Sequence, residues 1–241
     1  MSESRLETRA YKRATVEYRS ESDEPTLVGY SAVFNSYSQN LGGFVEIVDE
    51  SAFNDTLARG GNVMGCVNHD MSWLLASTES ETMRLAVDTT GLQYTMMGDL
   101  SDPDWQRAVA KVKSGKLRGS SFMFRTIDDD WSLTDDGFPL RRLLAVELIE
   151  NGPVAAPAYR ATANADTQAA IRSLAAHVNK DFADVAELAA RNELRSLFGS
   201  APAEVEIVEQ QPARNAAAAL EHATRKAAWL QKQSLMERTQ R

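Results

Sequence analysis

"LRGSSFMFRTIDDDWSLTDDGFPLRRLLAVELIE", residues 117–150, decides the fold class. Aromatic, β-branched and leucyl residues run through both halves, and "DDG" at 135–137 is a tight-turn signal between antiparallel strands. The stretch predicts two or three strands. Just before it, "SDPDWQRAVAKVKSG" (101–115) predicts a helix. Ser101 or Asp102 is the N-cap, Pro103 lies in the first turn, Trp105, Ala108, Val109 and Val112 share one face, and Gly115 is the stop. Further back, "MRLAVDTTGLQYTMMGDL" (83–100) predicts two strands joined through "DTTG", with Gly91 free to take a positive φ. "TLVGYSAVFN" (26–35) and the alternating "FVEIV" (44–48) predict two more, the first with a glycine that signals a bulge or a close backbone approach. "SAFNDTLARGG" (51–61) predicts a short helix that starts at Ser51 and stops at Gly60 and Gly61.

Many short strands, a few inserted helices and no parallel strand–helix alternation predict an α+β, mainly β fold. The architecture expected is a closed or nearly closed antiparallel β-barrel with flanking helices. Residues 1–25 are charged and read as an N-terminal arm, mobile or at most a short edge strand. Residues 26–165 carry the barrel, and 166–241 read as a helical tail. In that tail Ile171, Leu174, Val178, Phe182, Val185 and Leu188 form one apolar stripe. "GSAPAEVEIVEQQPA" (199–213) is a linker with two prolines, and a second helix is expected from about Arg214 to Met236. The stripe calls for packing rather than chemistry.

The 241 residues, 43% hydrophobic and 25% charged, suit one domain with an appendage. Acidic residues outnumber basic ones by 34 to 26, so no broad basic footprint for nucleic acid exists. The N-terminus lacks the apolar segment of a secretory signal, and no apolar run approaches the roughly 20 residues that cross a bilayer. A cytosolic protein is expected. The one cysteine, Cys66, excludes an intramolecular disulfide and a Cys-rich zinc site; it reads as a small buried hydrophobe before a nucleophile.

His69, in "CVNHDMSW" (66–73), is the only histidine ahead of the tail residues His177 and His222. It is a general base, a metal ligand or a loop residue. A metal wants several ligands at usable spacing, and none accompany it, so no metal or cofactor is expected. Ser120 and Ser121 follow Gly119 at the start of an apolar strand, as a nucleophile site or as a turn entering the strand. Neighbours in a strand face opposite sides, so only one of them can serve. Glu147 and Glu150 precede Asn-Gly-Pro at a strand end, where a carboxylate could orient an imidazole or lie on a solvated face. Their offset of three puts them on opposite faces of a regular strand.

Six pieces in order now carry a resemblance: "GYSAVFN" (29–35), "GGFVEIVDESAF" (42–53), "NHD" (68–70), "TMRLAVDTTGL" (82–92), "GSSFMFR" (119–125) and "VELIENGPVAAPAY" (146–159). Over about residues 26–175 the chain resembles the prohead maturation proteases of tailed bacteriophages, distant relatives of the herpesvirus assemblins. The resemblance implies a serine endopeptidase with His69 as general base and Ser121 as nucleophile. It selects Glu150 as the acidic member, with Glu147 as the substitute. Backbone N–H groups near Ser121, or the Arg125 guanidinium, would hold the oxyanion. Two positions depart from the family pattern. Met123 stands where a glycine is usual, and "LAST" (75–78) stands where Gly-Arg is frequent. The implied substrates and partners are a scaffold protein or scaffolding domain, extensions of the major capsid protein, and the chain itself; the portal and a second copy of the chain are further candidates. The implied place is the procapsid interior in the host cytoplasm, with the enzyme absent from or degraded in the mature virion. "FGSAPAEVE" (198–206) is the expected site of self-cleavage. Two other readings compete: a catalytically inert capsid-assembly scaffold or chaperone on the same fold, and a cytosolic hydrolase of small esters.

Overall fold

The 117–150 stretch and its continuation to Val154 hold the two longest strands among the described residues. The computed structural model describes residues 6–20, 25–155 and 165–199. In chain order its elements are β1 (Leu6–Arg19), β2 (Thr26–Val33), β3 (Val45–Val48), α1 (Asn54–Arg59), β4 (Met64–Val67), β5 (Asp70–Ser77), β6 (Met83–Val87), β7 (Gly91–Met97), α2 (Pro103–Lys113), β8 (Gly119–Leu133), β9 (Pro139–Val154), α3 (Ala165–His177) and α4 (Phe182–Ala190). A 3-10 turn, Leu194–Phe198, follows. The strands run β5-β4-β9-β8-β1-β2-β7-β6 in a nearly closed barrel, with β3 also on β9.

The fold is α+β and mainly β, as expected, but its sheet is mixed. β3 and β4 pair with β9 in parallel; the other pairings are antiparallel. One edge of β9 belongs to β8. The other is covered in turn by β3, by the α1 segment and by β4. Between the two parallel strands, Val146 N–H donates to the Ala52 carbonyl at 2.9 Å, Leu148 N–H donates to Thr56 Oγ1 at 3.1 Å, and that hydroxyl donates to the Val146 carbonyl at 2.8 Å. The α1 segment thus supplies partners where no strand lies.

Residues 6–19 differ most from expectation. β1 is a 14-residue strand between β2 and β8. Glu7, Arg9 and Tyr11 are buried at 1%, 5% and 2% exposure, so the alternation of an inward face is present but carried by charged groups. They are paired: Arg9 with Glu7 (2.7 Å) and Glu46 (2.9 Å), and Arg141 with Glu7 (2.7 Å), Glu46 (3.0 Å) and Asp129 (2.5 Å). Burying ions requires such partners. A charged stretch reads as solvated only while those partners, far away in sequence, are unknown.

The tail stripe is real but divided. Asn179, with φ 53°, separates α3 from α4. Ile171, Leu174 and Val185 then pack with Phe44, Trp131 and Leu194 in a second apolar cluster. One compact unit therefore runs through Gly199, past the boundary expected at 165. The greater part of the expected linker and the helix expected at 214–236 lie outside the described residues. Helix α2 is capped by Asp102, which accepts from Asp104 N–H at 2.8 Å. Helix α1 has Phe53 rather than Ser51 at its N-cap, while Ser51 bonds Asp49. Gly91 is not a positive-φ residue. A Cβ there would sit 1.9 Å from the Ala32 carbonyl, so close approach demands the glycine.

Candidate active site

Aromatic packing fixes which way β8 faces. Phe122 stacks on Phe124 (centroids 5.0 Å apart), meets Phe53 edge-on (5.7 Å) and lies over Tyr11 (6.4 Å), all inside the barrel. Ser121, Met123 and Arg125 alternate to the outer face. Ser120 points inward, donating to the Thr15 carbonyl at 2.8 Å and accepting from Tyr94 Oη at 2.8 Å. Burial pushes the Tyr94 phenol up, so it stays a donor.

His69 comes from a hairpin. Val67 pairs with Asp70, leaving Asn68 and His69 as a two-residue turn with φ of 55° and 60°. Positive φ at both positions is what a type I′ turn needs, and Asn and His tolerate it better than most residues. Asn68 fastens the turn to β9: its N–H donates to the Pro153 carbonyl (3.0 Å), and its Oδ1 accepts from Ala155 N–H (2.9 Å). Gly152 makes the approach possible, because a Cβ there would lie 2.0 Å from the Cys66 carbonyl.

The three side chains then form one run. His69 Nδ1 lies 2.5 Å from Glu150 Oε2, and His69 Nε2 lies 2.7 Å from Ser121 Oγ. Glu150 is fully buried, and its other oxygen accepts from Cys66 N–H at 3.3 Å. With Nδ1–H given to the carboxylate, Nε2 is left as an acceptor. Ser121 Oγ is also 2.8 Å from the Arg9 carbonyl, so its single proton has two acceptors.

Glu147 and Arg125 are not brought to this run. They pair with each other at 3.0 Å, both exposed, four residues along β8 from Ser121, or about 13 Å. The two glutamates do not lie on opposite faces. Met123 pairs with Glu150, and Phe124 with Leu148, so Ile149 is a bulge residue. With Arg125 opposite Glu147, both glutamates face outward, and burial separates them instead.

Burial, then Glu150 and Asp70, push the Cys66 thiol up to about 12, so it is neutral and packs as a small apolar group. Among the described residues no three His, Cys, Asp or Glu side chains converge as metal ligands would. Gly152 and the Arg9 carbonyl escaped the sequence reading. The first had no positional signal, and the second is a group every residue carries.

The family model described as caudovirus prohead serine protease matches residues 10–180. Among solved structures, the chain is similar to the bacteriophage T4 capsid assembly protease, gp21, at 11% identity and a TM-score of 0.42, over 64% of this chain and 97% of that one. No curated protein sequence matches the chain.

Proposed function

The chain belongs to the caudovirus prohead serine protease family, and from that footing we propose that it is an endopeptidase acting through Ser121, His69 and Glu150. The observation that carries the proposal is the hydrogen-bonded run from Glu150 through His69 to Ser121. In this reading Ser121 Oγ attacks the scissile carbonyl while His69 Nε2 takes its proton. The proton then passes to the leaving amine, and a water molecule repeats the sequence on the acyl-enzyme. Glu150 holds Nδ1–H and offsets the imidazolium charge. Its burial keeps water from weakening that interaction. With Arg125 engaged by Glu147, backbone N–H groups beside Ser121 are the oxyanion donors of choice.

The substrates in this proposal are a scaffold protein or scaffolding domain and extensions of the major capsid protein, cleaved within the procapsid in the host cytoplasm. Self-cleavage is assigned to 198–206, and association with the portal or a second copy belongs to the same proposal. Co-expression with the neighbouring capsid gene product tests it. Wild type should shorten the capsid protein, and Ser121→Ala should abolish cleavage, as loss of a triad serine costs several orders of magnitude. Equal cleavage by both would end the reading.

A further inference from the structure

Strand β4 keeps parallel register with β9 for two residues, Met64 with Glu150 and Gly65 with Asn151. At Cys66 the pairing ends, and that residue's N–H donates to the Glu150 carboxylate at 3.3 Å. Asn68 then resumes the contact with β9. Its backbone N–H donates to the Pro153 carbonyl at 3.0 Å, and its side-chain Oδ1 accepts from Ala155 N–H at 2.9 Å. The amide oxygen stands in for the carbonyl that a continuing strand would have offered. The strand so gripped carries Glu150, and its Gly152 lies opposite Ser121. On the other side of the hairpin, β5 lies at one end of the sheet and pairs with β4. The turn that carries His69 is thus steadied from the β9 side.

We infer that Asn68 is a positioning residue of the reaction: its side-chain Oδ1, bound to Ala155 N–H, clamps the His69 turn to β9 and holds the imidazole in line between Glu150 and Ser121. This rests on His69 and Ser121 being the base and the nucleophile. The turn needs positive φ at both its residues, 55° at Asn68 and 60° at His69. Glycine meets that need at least as well as asparagine, so the backbone conformation alone does not call for this side chain. The acceptor oxygen is a separate property, and the bond to Ala155 is what uses it. Two partners lie on opposite sides of the ring, Glu150 at Nδ1 and Ser121 at Nε2. A tilt of the turn that eases one contact therefore spoils the other. A second tie to β9, beside the Asn68 N–H, removes that freedom.

The test follows fluorophosphonate labelling of Ser121 in the full-length protein, resolved into a maximal rate and a half-saturating concentration. Asn68→Gly keeps the turn and removes the acceptor. It should lower the maximal rate about a hundredfold, the cost of a 1 Å misplacement, and leave the half-saturating concentration unchanged. Asn68→Asp keeps an acceptor oxygen and tolerates positive φ, and should stay within about tenfold of wild type. Ala155→Pro removes the donor from the other side without touching the turn, and should slow labelling as Asn68→Gly does. The double variant should be no slower than either single one, because both remove the same bond. A maximal rate unchanged in either single variant, an Asp variant as slow as the Gly one, or losses that multiply in the double variant would overturn the clamp and leave the peptidase reading standing. Absence of any label on Ser121 in wild type would overturn the peptidase reading, and the clamp with it.

Discussion

Ser120 and Ser121 are adjacent, both buried, and opposite in what they touch. Ser121 meets His69 on the outer face, while Ser120 links Tyr94 to the Thr15 carbonyl inside. Ser120→Ala should therefore lower the melting temperature by an amount equivalent to about 1–2 kcal/mol, since it leaves a buried phenol short of a partner. It should keep activity within about tenfold. Ser121→Ala should do the reverse, and thermal denaturation beside a cleavage assay checks both. The sequence distinguished these two serines through motif register and strand alternation. It could not rank Glu147 and Glu150 correctly by face, because a bulge at Ile149 cannot be seen without the partner strand. Nor could any residue type announce that the Arg9 carbonyl would lie beside Ser121 Oγ.

At the scale of elements, the site depends on how closely β4 lies on β9. Gly152→Ala would press a methyl group against the Cys66 carbonyl, which sits 2.0 Å from the added Cβ, and backbone cannot yield as a flexible side chain can. The β4–β5 hairpin, and His69 with it, should be displaced; a 1 Å error in such a constellation can cost about a hundredfold. Labelling by a fluorophosphonate should slow by at least that factor, and an unchanged rate would show that the hairpin moves freely. Elements with ordinary signals were legible. Asp102 and Pro103 announced α2, and "DDG" announced the β8–β9 turn. β1 was not legible, because its inward face is Glu7, Arg9 and Tyr11. Its partners Glu46 and Arg141 lie 35 to 134 residues away along the chain.

Across the whole molecule, that buried charge cluster ties β1, β3, β8 and β9 together. Burial raises the Glu7 carboxyl, but Arg141 and Arg9 outweigh it and hold the group below its ordinary 4.5. A carboxyl lowered by folding contributes stability that is complete above the unfolded value and is lost as pH falls through the folded one. The melting temperature should thus fall as pH drops below about 4.5. Glu7→Gln should weaken that dependence and cost about 3–5 kcal/mol at neutral pH, by leaving two buried guanidinium groups short of a counter-charge. Identical pH profiles for the two proteins would refute the assignment. The same convergence of distant segments underlies the proposed chemistry, for His69 meets Ser121 across 52 residues and Glu150 across 81. The most direct measurement is fluorophosphonate labelling followed by peptide mapping, in wild type and in His69→Ala. One adduct on Ser121, formed at least a hundredfold more slowly without the imidazole, is the expected result. An adduct on Ser120 or another residue, or a rate indifferent to His69, would contradict the account.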